Sequence, residues 1–213
     1  MEGIMSTLLY IKASPMGELS YSIAVADAFL EEYRKAHPED NVRAMNLFTE
    51  PLPAFDFEAA SAKYKIMHGK DHIDKDKQIW AKIISVIDDF KSADKYIIAT
   101  PMWNFSIPYR LKQYIDILVQ PGYTFTVAKD GNYKGLVTNK PVFVAYARGG
   151  EYPAGTPQEA FDLQKKYIEL ILAFIGLTDI RSVIVEPTLA GAEIATRKRS
   201  EAIEKAREIA REF

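Results

Sequence analysis

The sequence predicts a doubly wound α/β domain on a five-stranded parallel sheet of strand order 2-1-3-4-5. Three observations point there. Five apolar runs of strand length recur along the chain, and they read as strands covered on both faces, the condition of a parallel sheet. Segments of helical periodicity separate them, and right-handed crossovers then make double winding the natural closure. The 213 residues suit one domain spanning 1–213, at roughly 100–200 residues per domain.

Thr7-Leu8-Leu9-Tyr10-Ile11 is the first strand. Ser20 then stands where a helix cap belongs, ahead of Val25, Ala28, Phe29 and Glu32. Val42 to Asn46 alternates weakly and is the second strand. Ile79, Ile83, Val86, Ile87 and Phe90 recur at i, i+4, i+7, i+8 and i+11, an amphipathic helix with a core-facing stripe. Tyr96-Ile97-Ile98-Ala99 is the third strand, ended by Pro101. Val142 to Tyr146 is the fourth and Ser182 to Val185 the fifth. Between these two, Phe161, Ile168, Ile171 and Ile175 mark a helix with a core stripe, closed by Gly176 as a left-handed residue. The last helix runs to about Phe213, with Ile203, Ala206, Ala210 and Phe213 inward. Its Glu201/Lys205 and Glu204/Arg207 spacings suit a solvated face. Two insertions interrupt the pattern: Leu47 to Asp74, opening on Glu50-Pro51-Leu52-Pro53, and Tyr123 to Val137, which reads as a β-hairpin around Asp130-Gly131-Asn132. Met1 to Met5 are expected outside the fold, as disordered or start-site residues.

Composition narrows the function. Hydrophobic residues are 48% and charged residues 26%, the balance of a globular domain. The longest apolar run, Leu170 to Leu177, is far shorter than the ~20 residues a bilayer span needs. No secretory leader is visible, so a cytoplasmic protein is expected. Lys+Arg 27 against Asp+Glu 29 leaves −2, which offers no footprint for nucleic acid or an anionic membrane. With no cysteine, thiolate metal sites and cysteine nucleophiles are excluded. His68 and His72, with Asp71 between, have a spacing that can bind metal on a helix, but Gly69 and the charged surroundings favour a solvated segment, so no metal is expected.

In an open α/β sheet of this order, ligands bind beyond the strand ends at the crevice between strands one and three. The loops after Lys12, Thr100 and Ala147 should line it. The first, Ser14-Pro15-Met16-Gly17-Glu18-Leu19-Ser20-Tyr21-Ser22, has neither the dinucleotide glycine spacing nor a Walker lysine. It sets hydroxyls against a helix N-terminus, a cradle for a phosphate monoester; the plainer reading is that Ser20 only caps its helix. The second, Thr100-Pro101-Met102-Trp103-Asn104-Phe105-Ser106-Ile107-Pro108, is stiffened by two prolines. It presents flat apolar surface that would suit a planar ring ligand, or would plug the crevice. The third, Ala147-Arg148-Gly149-Gly150-Glu151-Tyr152, allows close backbone approach or simply a tight turn.

These three loops, in this order and spacing, resemble the FMN-dependent NAD(P)H azoreductase family, also described as quinone oxidoreductases. The resemblance runs from Thr7 to about Ala210 and includes Lys12-Ala13-Ser14, Leu111-Lys112, Gly122-Tyr123-Thr124-Phe125 and Phe174-Ile175-Gly176; Pro101-Met102-Trp103-Asn104-Phe105 is its most specific element. It implies a flavodoxin-like homodimer holding FMN tightly but non-covalently. Ser14, Ser20, Tyr21 and Ser22 would hold the phosphate. Pro101, Met102, Trp103, Asn104 and Phe105 would line the isoalloxazine, and Ala147, Arg148, Gly149 and Gly150 would border its pyrimidine side. Trp103, Phe125 and Tyr152 would shape the substrate pocket, Phe125 reaching it from the partner. Ala147 stands where the family often has serine, and Trp103 where tyrosine is frequent. The implied reaction is a two-electron ping-pong: NADH or NADPH reduces FMN, then a quinone or azo compound is reduced. No catalytic side chain is needed, because the flavin carries the chemistry. The alternative is a non-catalytic flavodoxin-type electron carrier, which docks its partners through strong net acidity that this chain lacks.

Overall fold

A computed structural model describes residues 5–70 and 73–213. The elements in chain order are β1 (Thr7–Lys12), α1 (Tyr21–Ala36), β2 (Asn41–Asn46), α2 (Phe57–Met67), α3 (Asp74–Lys91), β3 (Lys95–Pro101) and α4 (Tyr109–Leu118). They continue with β4 (Phe125–Val127), β5 (Tyr133–Gly135), β6 (Val142–Ala147), α5 (Leu163–Ile175), β7 (Ile180–Val185) and α6 (Ala192–Ala210). Five strands form one parallel sheet of order β2-β1-β3-β6-β7, which is the expected 2-1-3-4-5 winding. Strand order reverses between β1 and β3. The strand ends are level, since Pro101 pairs with Ala147 and Ala147 with Val185.

Side chains alternate across each strand, and the two faces make two cores. Leu9, Ile11, Tyr96, Ile98, Val144 and Tyr146 pack under α3, α4 and α5, against Ile83, Phe90, Leu111, Tyr114, Ile168 and Leu172. Leu8, Tyr10, Ile97, Phe143 and Val183 pack under α1 and α6, against Val25, Phe29, Ala206 and Ala210. Phe29 stacks on Phe143 at 4.0 Å between ring centres, which fixes α1 over the middle of the sheet.

The elements differ from the sequence reading at the start of α5 and at the end of α6. Phe161 lies in a 3-10 turn (Pro157–Phe161), not in α5, and is 50% exposed, so it does not belong to the core stripe. The helix starts two residues later because Asp162 caps it, accepting the Lys165 N–H at 2.9 Å. The last helix closes at Ala210, and Phe213 folds back edge-on to Phe29 at 5.0 Å. The solvated face expected of this helix is present: Glu201, Glu204 and Lys205 are exposed, Glu201 pairs with Arg197 and Lys198, and Glu204 with Arg207. The Leu47–Asp74 insertion contains α2, capped by Asp56 through the Ala59 N–H at 3.0 Å. His68 ends α2 and lies parallel to Tyr64, while Asp71 and His72 lie outside the described residues, as do Met1 to Ile4. No described helix is long and apolar enough to cross a membrane.

The Tyr123–Val137 excursion is a hairpin of β4 and β5, docked on the C-terminal end of α5. The contact is backbone against backbone: a Cβ on Gly135 would lie 2.3 Å from the Gly176 nitrogen. Gly176 itself closes α5 at φ 111°, the left-handed conformation expected of it. Gly135→Ala is therefore expected to destabilise the fold by about 3 kcal/mol, since neither backbone can yield without lifting the hairpin. Urea unfolding measures this; a loss below ~1 kcal/mol would mean the hairpin is only loosely docked.

Candidate functional site

The loops after β1, β3 and β6 leave three adjacent parallel strands at the same edge of the sheet. In the first, Ser14 is 1% exposed and its Oγ accepts the Met16 N–H at 3.4 Å. Ser20 caps α1 through the Ile23 N–H at 3.4 Å, and its hydroxyl lies 3.1 Å from that of Ser22. The capping reading of Ser20 is thus realised. It leaves the N–H groups of Tyr21 and Ser22 without an acceptor among the described residues. Orphan donors at the positive end of a 16-residue helix, beside buried hydroxyls, are the chemistry of a phosphate cradle.

The second loop is a tight reverse turn. Trp103 and Ser106 exchange both backbone hydrogen bonds, at 3.0 and 2.9 Å. Asn104 and Phe105 between them have φ of 47° and 68°. Two consecutive left-handed residues make the I′ kind of turn that glycine usually serves. A phenylalanine held there is strained, and such strain persists only where the surroundings over-determine it. The surroundings do so: Met102 N–H donates to the Ala147 carbonyl at 2.7 Å, and Leu163 N–H to the Phe105 carbonyl at 3.1 Å. The N–H groups of Asn104 and Phe105 have no acceptor among the described residues.

The turn divides two aromatic clusters. On one side Trp103 lies 5.8 Å from Phe48 and 6.2 Å from Tyr109. On the other, Phe105 lies 5.0 Å from Phe161 and 6.4 Å from Tyr152. A cleft of about 790 Å³ opens beside Trp103, Asn104 and Tyr109, with Phe55, Lys112 and Asp116 among its walls. The segment after β2 forms part of that wall because α4 clamps it. Arg110 donates to the Leu47 and Glu50 carbonyls, the latter at 2.7 Å, and Gln113 to the Pro53 carbonyl at 3.1 Å. Phe125 stands apart on the hairpin, packed 4.8 Å from Phe174 and 5.9 Å from Tyr133.

The third loop brings the glycine turn beside the second, but the Arg148 side chain turns inward. It is 1% exposed and donates to Gln164 Oε1 at 3.0 Å, Asp162 Oδ2 at 2.9 Å and Glu186 Oε2 at 3.4 Å. Its backbone is also engaged, N–H to Val185 and carbonyl from Thr188. Ala147 is buried at the strand end, and Gly149 and Gly150 are half-buried. Burial holds the Glu186 carboxyl above the usual range, against the opposing pull of Arg148. A carboxyl whose folded pKa is raised contributes stability below its unfolded value near 4.5, and that contribution is lost as pH rises through the raised value. Glu186→Gln should therefore flatten this part of the pH–stability profile above about pH 4.5, read as urea midpoints between pH 4.5 and 7.

Sequence reasoning passed over Phe55 and Tyr109 in the cleft wall, Phe48 beside Trp103, and the set Asp162, Gln164 and Glu186 around Arg148. Only Asp162 carried a local signal, as a cap residue ahead of an apolar stripe.

Residues 6–210 match the family described as having a flavodoxin-like fold. Over 210 residues the chain is 56% identical to the FMN-dependent NADH:quinone oxidoreductase of Nitratidesulfovibrio vulgaris, covering 98% of this chain and 100% of that one. The chain belongs to the FMN-dependent NADH:quinone oxidoreductase family. The azoreductase from Bacillus anthracis str. Sterne superposes with a TM-score of 0.89 at 30% identity, covering 98% of this chain and 100% of that one. An FMN-dependent NADH-azoreductase from Bacillus anthracis str. Ames Ancestor, solved in complex with FMN, gives a TM-score of 0.85 at 27% identity, over 97% and 100% of the two chains. The family's cofactor fits the donors found here. The start of α1 offers amides and hydroxyls to a phosphate, and the Asn104–Phe105 turn offers two unbonded amides beside aromatic surface to a polar-edged ring.

Proposed function

We propose that the protein is an FMN-dependent NAD(P)H oxidoreductase, working as a cytoplasmic homodimer, that reduces quinones and aromatic azo compounds. The observation that carries this reading is the pair of unbonded amides on the strained Asn104–Phe105 turn, in the loop that follows the strand next to β1. The names of the relatives support the substrates and NADH. FMN held at these residues would supply the redox chemistry, carrying two electrons from nicotinamide to acceptor.

The chain's residues bind and orient. Ser14, Ser20, Tyr21 and Ser22 hold the phosphate through hydroxyls and the free N–H groups of the first helical turn. Met102 and Trp103 would line the ring, and the free N–H groups of Asn104 and Phe105 would meet its polar edge and stabilise negative charge there without reorganising. Gly149 and Gly150 let the backbone come close on the other side. Trp103 and Tyr152 flank the place where nicotinamide and acceptor take turns, with Phe125 contributed by the partner. The exposed apolar side chains of Phe105, Phe161 and Leu163 beside the turn support a dimer that covers them.

Alternation of two substrates in one place has a kinetic signature. Initial rates with NADH and a benzoquinone, varied against each other, should give parallel double-reciprocal lines. Intersecting lines would mean that both substrates bind together and would overturn the shared-site reading. Sedimentation of the same preparation tests the dimer.

A further inference from the structure

Gln164, the second residue of α5, is fully buried, and both ends of its amide are used. Its Oε1 accepts the Arg148 Nε–H at 3.0 Å, and its Nε2 donates to the Thr100 carbonyl at 3.2 Å. Thr100 precedes Pro101 at the end of β3 and leads into the Trp103–Ser106 turn. Arg148 directly follows β6 and leads into Gly149 and Gly150. One side chain therefore bridges the two strand ends from which the ring-binding loops depart. Backbone pairing joins the same two strands as far as Ala147 and stops short of Arg148. The last β3–β6 bond is Met102 to Ala147, while the next residue, Arg148, pairs away from β3 with Val185. The guanidinium is otherwise committed to Asp162 and Glu186, towards α5 and β7.

We propose that Gln164 is a positioning residue that sets the spacing between the Asn104–Phe105 amides and the Gly149–Gly150 turn. Through that spacing it governs how tightly the site holds FMN and in what electronic environment. The proposal rests on the FMN reading. Its physical content is that the strut works in a buried, weakly screened place where both of its hydrogen bonds are strong and neither can be replaced by water. Removing them leaves the Met102–Ala147 bond as the last tie between two loop departures that must stay matched to one rigid planar ligand.

Gln164→Met keeps length and bulk but can make neither bond. Gln164→Glu can still accept from Arg148 but cannot donate to Thr100. Phe213→Ala, at the far end of α6, serves as a control that weakens the fold away from the strut. The readouts are the FMN dissociation constant by flavin fluorescence, the absorption spectrum and midpoint potential of bound FMN, and the melting temperature of the apoprotein. Gln164→Met is expected to raise the FMN Kd by about tenfold or more and to shift the spectrum and potential. Gln164→Glu should shift them in the same direction, because the Thr100 link is lost in both. Phe213→Ala should lower the melting temperature and leave Kd and spectrum unchanged. If both Gln164 variants lower the melting temperature yet bind FMN with wild-type affinity and spectrum, Gln164 is merely structural and the proposal is overturned. A wild-type chain that takes up no FMN would overturn the cofactor reading itself, and this proposal with it.

Discussion

Arg148→Met is expected to lower folding stability by about 3–5 kcal/mol, the range for removing one member of a buried ionic cluster. The guanidinium faces two carboxylates at 2.9 and 3.4 Å, with its side chain 1% exposed and theirs 9% and 22%. Methionine fills comparable space, so the loss is electrostatic rather than a cavity. Asp162 would keep only its cap bond from the Lys165 N–H, and Gln164 would lose its donor. The deficit should shrink as pH falls from 7 to 5, because Glu186 already titrates above its ordinary value and takes up a proton more readily without a cation beside it. Arg148→Lys should fall between, since a single ammonium cannot serve three acceptors spread around a planar fork. Urea unfolding of the three proteins at the two pH values measures all of this. A deficit below about 1 kcal/mol would place the cluster with exposed pairs, whose contribution is small.

The second large effect is on the cofactor. Asn104→Ile places a β-branched side chain at φ 47°, where such residues scarcely occur. The turn can then keep its two Trp103–Ser106 bonds only under strain, and relaxation swings the 104 and 105 amides away. Losing two donors to a charged or polar ring edge, at about 1.5 kcal/mol each, corresponds to roughly a hundredfold rise in the FMN Kd. Asn104→Gly preserves the left-handed backbone without a side chain, and flavin retention should stay near wild type. Equilibrium dialysis of the two variants separates backbone from side chain. If the glycine variant loses flavin as badly as the isoleucine variant, the Asn104 amide side chain, not the turn, makes the contact.

The strands were legible because a parallel sheet covered on both faces needs runs such as Tyr96–Ala99 and Val142–Tyr146 with no polar position to blur them. Helix α2 was not, because it buries only Ala59 and Ala62 while Phe57, Tyr64 and Met67 stay exposed, leaving no apolar stripe to read. Phe161 misled for the complementary reason. It falls in register with Ile168 and Ile175, yet its aromatic partner is Phe105 on another loop. At the site, hydroxyls and prolines announced the loops after β1 and β3, but the turn at Asn104–Phe105 was hidden, since that geometry normally advertises itself through glycine. The inward course of Arg148 was beyond local reading altogether. It depends on Asp162, Gln164 and Glu186, which reach the same point from α5 and from the end of β7.

The most direct test is an anaerobic visible titration of the chain reconstituted with FMN and freed of excess flavin by gel filtration. The expected result is retained flavin whose visible band bleaches on addition of NADH and returns on addition of a quinone. Retained flavin that neither NADH nor NADPH bleaches would contradict the oxidoreductase reading and leave an electron carrier; no retained flavin would contradict the assignment of the three loops.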